Sequence, residues 1–169
     1  YIPQQFGQLK PIYTQLYDSG DFDKLKKYLN KIIIVAVLFS IICALVFILV
    51  RDIILSSYGD FYTHFGLSFS IMMIATIMFS IQSQYGSAFQ AIGKSWICFA
   101  LNLAWAASYI ILFFAFYYKG TMGYAYTYLI SYVIYAIASS VVFHKVLKNR
   151  EKGVQDVERN SGKNNNMDI

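Results

Sequence analysis

Charge is scarce in this chain, and cysteine scarcer. Asp, Glu, Lys and Arg make up 14% of its 169 residues, against roughly 25% in ordinary soluble domains. With 57% hydrophobic residues, a water-soluble fold would lack the polar side chains needed to cover its core, so a soluble domain is excluded. The two cysteines, Cys43 and Cys98, lie inside apolar runs, where they pack as small hydrophobes rather than form a disulfide. Catalytic signatures are missing too. The sequence has no Gly-rich phosphate loop, no nucleophile elbow and no paired carboxylates inside an apolar run. His64 and His144 stand far apart at the edges of such runs, without metal-ligand spacing. Neither an enzyme nor a cofactor or metal site is therefore expected. No Asn-x-Ser/Thr sequon occurs. The first residue is Tyr1 and no charged segment precedes a cleavable apolar stretch, so the chain reads as the C-terminal part of something longer.

Long uncharged runs are what the sequence does have. They cover 32–50, 65–93, 95–118 and 120–143. A helix needs roughly 20 residues to cross a hydrocarbon core of about 30 Å, and these runs predict four spans at about 32–50, 65–85, 96–118 and 121–143. Helix is the form lipid permits, because an open sheet leaves backbone groups unsatisfied and no alternating strands of barrel type are present. The fold class expected is thus an all-α membrane protein with four transmembrane helices.

Basic residues set the direction. Lys10, Lys24, Lys26, Lys27 and Lys31 precede the first span, Lys94 follows the second, and Lys145, Lys148, Arg150, Lys152, Arg159 and Lys163 follow the fourth. Only Arg51 and Lys119 fall on the other side. Both termini are expected in the cytoplasm, and the net charge of +5 reads as membrane orientation rather than nucleic-acid binding. Residues 1–31 form a cytoplasmic segment in which 21–30, with Phe22, Leu25 and Leu29 on one face, predicts a short amphipathic helix on the membrane surface. Residues 32–144 hold the spans. The polar, Asn-rich stretch 145–169 reads as a basic, disordered tail.

Few side chains within the spans carry chemistry. Gln82 and Gln84 lie in the second, and an amide in lipid must find a partner or water. They read either as pathway lining or as a helix that has reached the headgroups. Asn102 in the third span, with Trp105 and Ser108 following, fits pathway lining or an interhelical hydrogen bond. Tyr124, Tyr128, Tyr132 and Tyr135 form a stripe at helical spacing, suited to packing or to stacking on sugars. Arg51, beside Asp52 at the outer end of the first span, reads as an interface anchor or as a phosphate contact. Ala36, Ser40 and Ala44 make a small-residue stripe that predicts close helix packing.

Several stretches together resemble a known family: FQAIGKSW at 89–96, LNLAWA at 101–106, GTMGYA at 120–125 and YLISY at 128–132. Upstream, Pro11 with QLYDSGDFDKLK at 15–26, then RDIIL at 51–55 with Tyr58 and Gly59, fit the same pattern. They are similar to the last helices of bacterial oligosaccharide flippases, the O-antigen and polysaccharide transporters of the multidrug/oligosaccharidyl-lipid/polysaccharide flippase superfamily. The resemblance spans about residues 10 to 145. It implies helices nine to twelve of a twelve-helix, two-lobed transporter of the bacterial inner membrane. Such a transporter moves undecaprenyl-diphosphate-linked oligosaccharide by alternating access. The implied partners are that lipid-linked sugar, the surrounding membrane lipids and the remaining N-terminal helices. The intramembrane cations that would meet the diphosphate lie in helices outside this chain. A multidrug or peptidoglycan-precursor exporter of the same superfamily is the nearest alternative, and a small four-helix membrane scaffold the more distant one.

Overall fold

The computed structural model describes residues 10–165, and they form helices joined by short turns, with no strand among them. In chain order the helices are α1 (Lys10–Asp18), α2 (Phe22–Leu49), α3 (Arg51–Ser57), α4 (Gly66–Ala91), α5 (Ser95–Phe116) and α6 (Gly120–Asn165). A 3₁₀ turn at Asp60–Phe65 leads into α4, and another at Tyr117–Lys119 leads into α6. Three helical segments are long and apolar enough to cross a membrane: Phe22–Leu49, Asp60–Ala91 and Ser95–Val154. The last contains both α5 and α6. At Gly120 the chain takes φ 58° and α6 folds back on α5.

Turn chemistry decides where the helices reverse. After α4, the Lys94 N–H donates to the Phe89 carbonyl at 2.8 Å and the Gly93 N–H to Gln90 at 3.2 Å. This is a Schellman cap, and it requires the left-handed φ of 72° that Gly93 adopts without a Cβ penalty. The same pair of bonds, Asp21 N–H to Leu16 and Gly20 N–H to Tyr17, closes α1. Asp21 then caps α2, its carboxylate accepting the Lys24 N–H at 3.2 Å.

α4 is the central helix, with α2 packed along one side and α6 along the other, while α5 lies mainly against α6. Close approach along the middle of the bundle depends on small side chains. Ala36 and Ala44 of α2, Ser68, Ser70 and Ala75 of α4, and Ala125, Thr127, Ser131 and Ser139 of α6 are all buried. The large aliphatic residues point the other way. Ile34, Val35, Leu38, Ile42 and Leu45 are exposed on α2, and Leu103, Ile110 and Ile111 on α5. In lipid a buried methylene gains little over an exposed one, so backbone proximity and complementary shape hold helices together.

One end of the bundle is built differently. Tyr13 of α1, Phe22, Leu25 and Leu29 of α2, Tyr85, Phe89 and Ile92 of α4, and Phe143 and Leu147 of α6 close into a single apolar cluster. The lysine-rich segments converge on this end, which is called the basic end below. Lys10 Nζ donates to Gln90 Oε1 at 2.9 Å and Thr14 Oγ1 to the Ala91 carbonyl at 2.8 Å, fastening α1 across the end of α4.

The cluster corrects two expectations. Residues 21–30 are not a separate surface helix: from Phe22 they are the first turns of α2, which runs unbroken to Leu49. Their apolar face meets protein, since Phe22, Leu25 and Leu29 are all buried in the cluster. The stretch from 145 is not a separate tail either, because α6 continues to Asn165. Leu147 draws it into the cluster, and Lys26 reaches Glu151 at 3.7 Å and Asp23 at 3.5 Å. Residues 1–9 and 166–169 of the expected flanking segments lie outside the described residues.

Candidate functional site

The tyrosine stripe on α6 is one side of a polar and aromatic cluster. Tyr124 and Tyr128 stack with centroids 6.4 Å apart, and Tyr128 meets Tyr132 edge-on at 4.8 Å. From α5, Trp105 lies 5.3 Å from Tyr132 and 6.2 Å from Tyr135, and Tyr109 lies 6.3 Å from Tyr124. From α4, Phe79 meets Tyr132 at 5.6 Å. The spacing of four on each helix puts these rings on facing sides, and the offset and edge-on geometries are those aromatic quadrupoles favour.

Amides complete the aromatic cluster toward the basic end. The Tyr135 hydroxyl donates to Asn102 Oδ1 at 2.7 Å, and Asn102 Nδ2 donates to the Cys98 carbonyl at 3.0 Å. Gln82, buried on α4, lies beside the same Tyr135 hydroxyl. A methyl group added at Gly86 would sit 3.6 Å from Gln82 Nε2 and 3.8 Å from Cys98 Sγ. Gly86 is thus where α4 and α5 face each other. The Trp105 indole N–H is buried and has no acceptor among the described residues. A donor so placed normally has a partner, and its ring lies beside the half-buried Tyr109, centroids 5.7 Å apart.

Of the residues singled out from the sequence, the structure brings Gln82 and Asn102 together at the Tyr135 hydroxyl, while Tyr128 lies two turns along α6 and joins them only through Tyr132. Gln84 is two residues beyond Gln82 and so turned by about 200° on the helix. It is buried on the face that also carries Ser70, and its Oε1 has no partner. Arg51 is remote from the aromatic cluster. Its Nη1 donates to Ser70 Oγ at 3.0 Å and its Nε to Asp52 Oδ1 at 3.2 Å, which fastens the junction of α2 and α3 to the start of α4. Trp105, Tyr109 and Phe79 are residues of that cluster that sequence reasoning did not assign. The i, i+4 pairing of Trp105 with Tyr109 on a span otherwise rich in Leu, Ile and Phe was the available signal.

Long apolar helices packed around a neutral, hydrogen-bonded cluster have the character of a membrane protein. A family model described as MatE matches residues 9–112, more than half of the chain, and the chain belongs to the MatE family, within the flippase superfamily of membrane transporters. The match begins just before α1 and ends within α5. Nothing among the curated proteins or the solved structures matches the chain.

Proposed function

We propose that this chain supplies the last four membrane crossings of a flippase that moves lipid-linked oligosaccharide across the bacterial inner membrane. The mechanism is alternating access, with no bond made or broken. α5 and α6 account for two crossings within the third apolar segment, and the basic end lies in the cytoplasm with both termini. The remaining helices of a twelve-helix transporter complete the pathway and meet the diphosphate.

The neutral, aromatic character of the cluster between α4, α5 and α6 is the observation that carries this reading. Trp105, Tyr109 and Tyr128 are half-buried and Asn102 is exposed, so this side of the cluster is open to whatever lies against it. A sugar presents hydroxyl groups of both donor and acceptor character together with apolar C–H faces, and neutral rings and amides suit both. No charged residue of either sign occurs in 32–50, 65–93, 95–118 or 120–143, so any charged group of a cargo would be met by the remaining helices. Peptidoglycan-precursor export remains the second reading on the same ground, since that cargo is also a sugar on a lipid.

Trp105→Leu and Tyr128→Leu in the full-length transporter test the assignment. Each should lower flipping of a fluorescent lipid-linked oligosaccharide in proteoliposomes by roughly three- to tenfold, the loss of one aromatic contact. Expression and detergent stability should hold, and Arg51→Gln should leave flipping unchanged. Wild-type flipping by both Leu variants would remove the aromatic cluster from the pathway.

A further inference from the structure

A groove of about 390 Å³ opens at the basic end between α1 and the first turns of α2, lined by Leu16, Lys24, Lys27, Tyr28 and Lys31. We propose that it holds the headgroup and first acyl methylenes of an anionic glycerophospholipid, with phosphatidylglycerol as the simplest case. Its lining is almost wholly apolar, from Leu16, the Tyr28 ring and the lysine stems, while the exposed ammonium groups of Lys27 and Lys31 stand beyond that lining.

The lysines are not equivalent. Lys24 is held by Asp21, Nζ to Oδ2 at 2.6 Å. That partner keeps the Lys24 ammonium protonated above its usual range and the Asp21 carboxyl ionised below its own. Lys27 and Lys31 are exposed and make no ion pair or hydrogen bond among the described residues. On the far side of the helix, Lys26 already bridges Asp23 and Glu151.

Depth fixes which ligand fits. Lys31 stands directly before the uncharged run that begins at Ile32. Lys27 lies one turn further out, roughly 6 Å along the axis. Both therefore fall within the headgroup layer, whose thickness is roughly 5–8 Å on each side of the hydrocarbon. A phosphodiester anchored by acyl chains is delivered to this depth, and the apolar lining of the groove receives its first methylenes. Free phosphate has no use for that lining. Each lysine near an anionic surface contributes enough to shift binding roughly fivefold.

Native mass spectrometry of the purified 169-residue chain, titrated with phosphatidylglycerol or phosphatidylcholine of the same acyl composition, reads the site. Phosphatidylglycerol should bind at least tenfold more tightly. The Lys27→Gln/Lys31→Gln double variant should weaken it by about thirtyfold, and both positions are exposed, so the fold is retained. The Lys148→Gln/Lys152→Gln control removes the same charge from the same end outside the groove, and should change binding by less than about threefold. Leu16→Ala should weaken binding without altering charge. Millimolar inorganic phosphate should not displace the lipid. Equal losses from both double variants, or no preference over phosphatidylcholine, would reduce the groove to diffuse surface charge. Displacement by inorganic phosphate would make it a phosphate site instead.

Discussion

Leu147 sits among Lys145, Lys148, Asn149 and Arg150, yet its side chain is fully buried. Val146 and Leu147 between charged residues are too short an apolar run to carry a periodic signal, and only Phe143, four residues before Leu147, hints at a helical face. Leu147→Ala should cost about 2–5 kcal/mol, the range for emptying a packed leucine site, measured as thermal unfolding in detergent. A silent substitution would mean the α6 extension contributes nothing to the cluster. Tyr13 presents the opposite case. It is fully buried and its hydroxyl has no partner among the described residues, so burial, reinforced by Tyr28 nearby, pushes its pKa up to about 12. A folded-state pKa above the unfolded value of 10.0 means this group's contribution is complete below pH 10 and is lost as pH rises from there to about 12. Tyr13→Phe should therefore be neutral or stabilising at pH 7, because it removes an unsatisfied buried hydroxyl. It should also flatten the alkaline loss of stability, which a pH series of unfolding curves would reveal.

At the level of the helix, α2 shows how a membrane helix declares its packing face. Its hydrophobic residues occupy every side, so apolar periodicity identifies no interior. The small residues do: Ala36 and Ala44 are buried while Leu45 and Val35 are exposed. Ala44→Leu should push α2 away from α4 and cost about 1–3 kcal/mol, as overpacking does, whereas Leu45→Ala should stay within about 0.5 kcal/mol in detergent. Comparable melting curves for the two variants would mean that the stripe does not define the contact. The same small-residue logic was legible in the sequence for α2. On α6 the buried set is mixed, with Thr127, Ser131 and Ser139 beside Tyr132 and Tyr135, and sequence alone did not separate the packing face from the face of the aromatic cluster.

For the whole molecule, the distribution of lysine and arginine predicts the orientation. Reporter fusions at Lys94 and after Lys145 should score cytoplasmic, and one near Asp60 periplasmic. A periplasmic signal after Lys145 would reverse the placement of the basic end. Transport makes a second demand, because alternating access needs two bundles moving about a shared site. The aromatic cluster draws on α4, α5 and α6, while α2 and α5 carry exposed aliphatic side chains elsewhere. The purified chain in proteoliposomes should therefore flip lipid-linked sugar no faster than empty vesicles, and flipping above that control would show that no second bundle is needed.

The sequence by itself determined that the chain is helical and apolar and that its basic residues gather at one end. Each follows from local physics: the cost of unsatisfied backbone in lipid and the cost of burying charge. Only the tertiary structure decided that α4 is the centre, that residues 22–30 and 145–154 form an end cluster instead of flanks, and that Gln82 and Asn102 share the aromatic cluster while Gln84 and Arg51 do not. Those outcomes depend on which face of one helix meets which face of another. Where nearly every position is apolar, that choice rests on a few small and aromatic side chains whose complementarity exists only between helices.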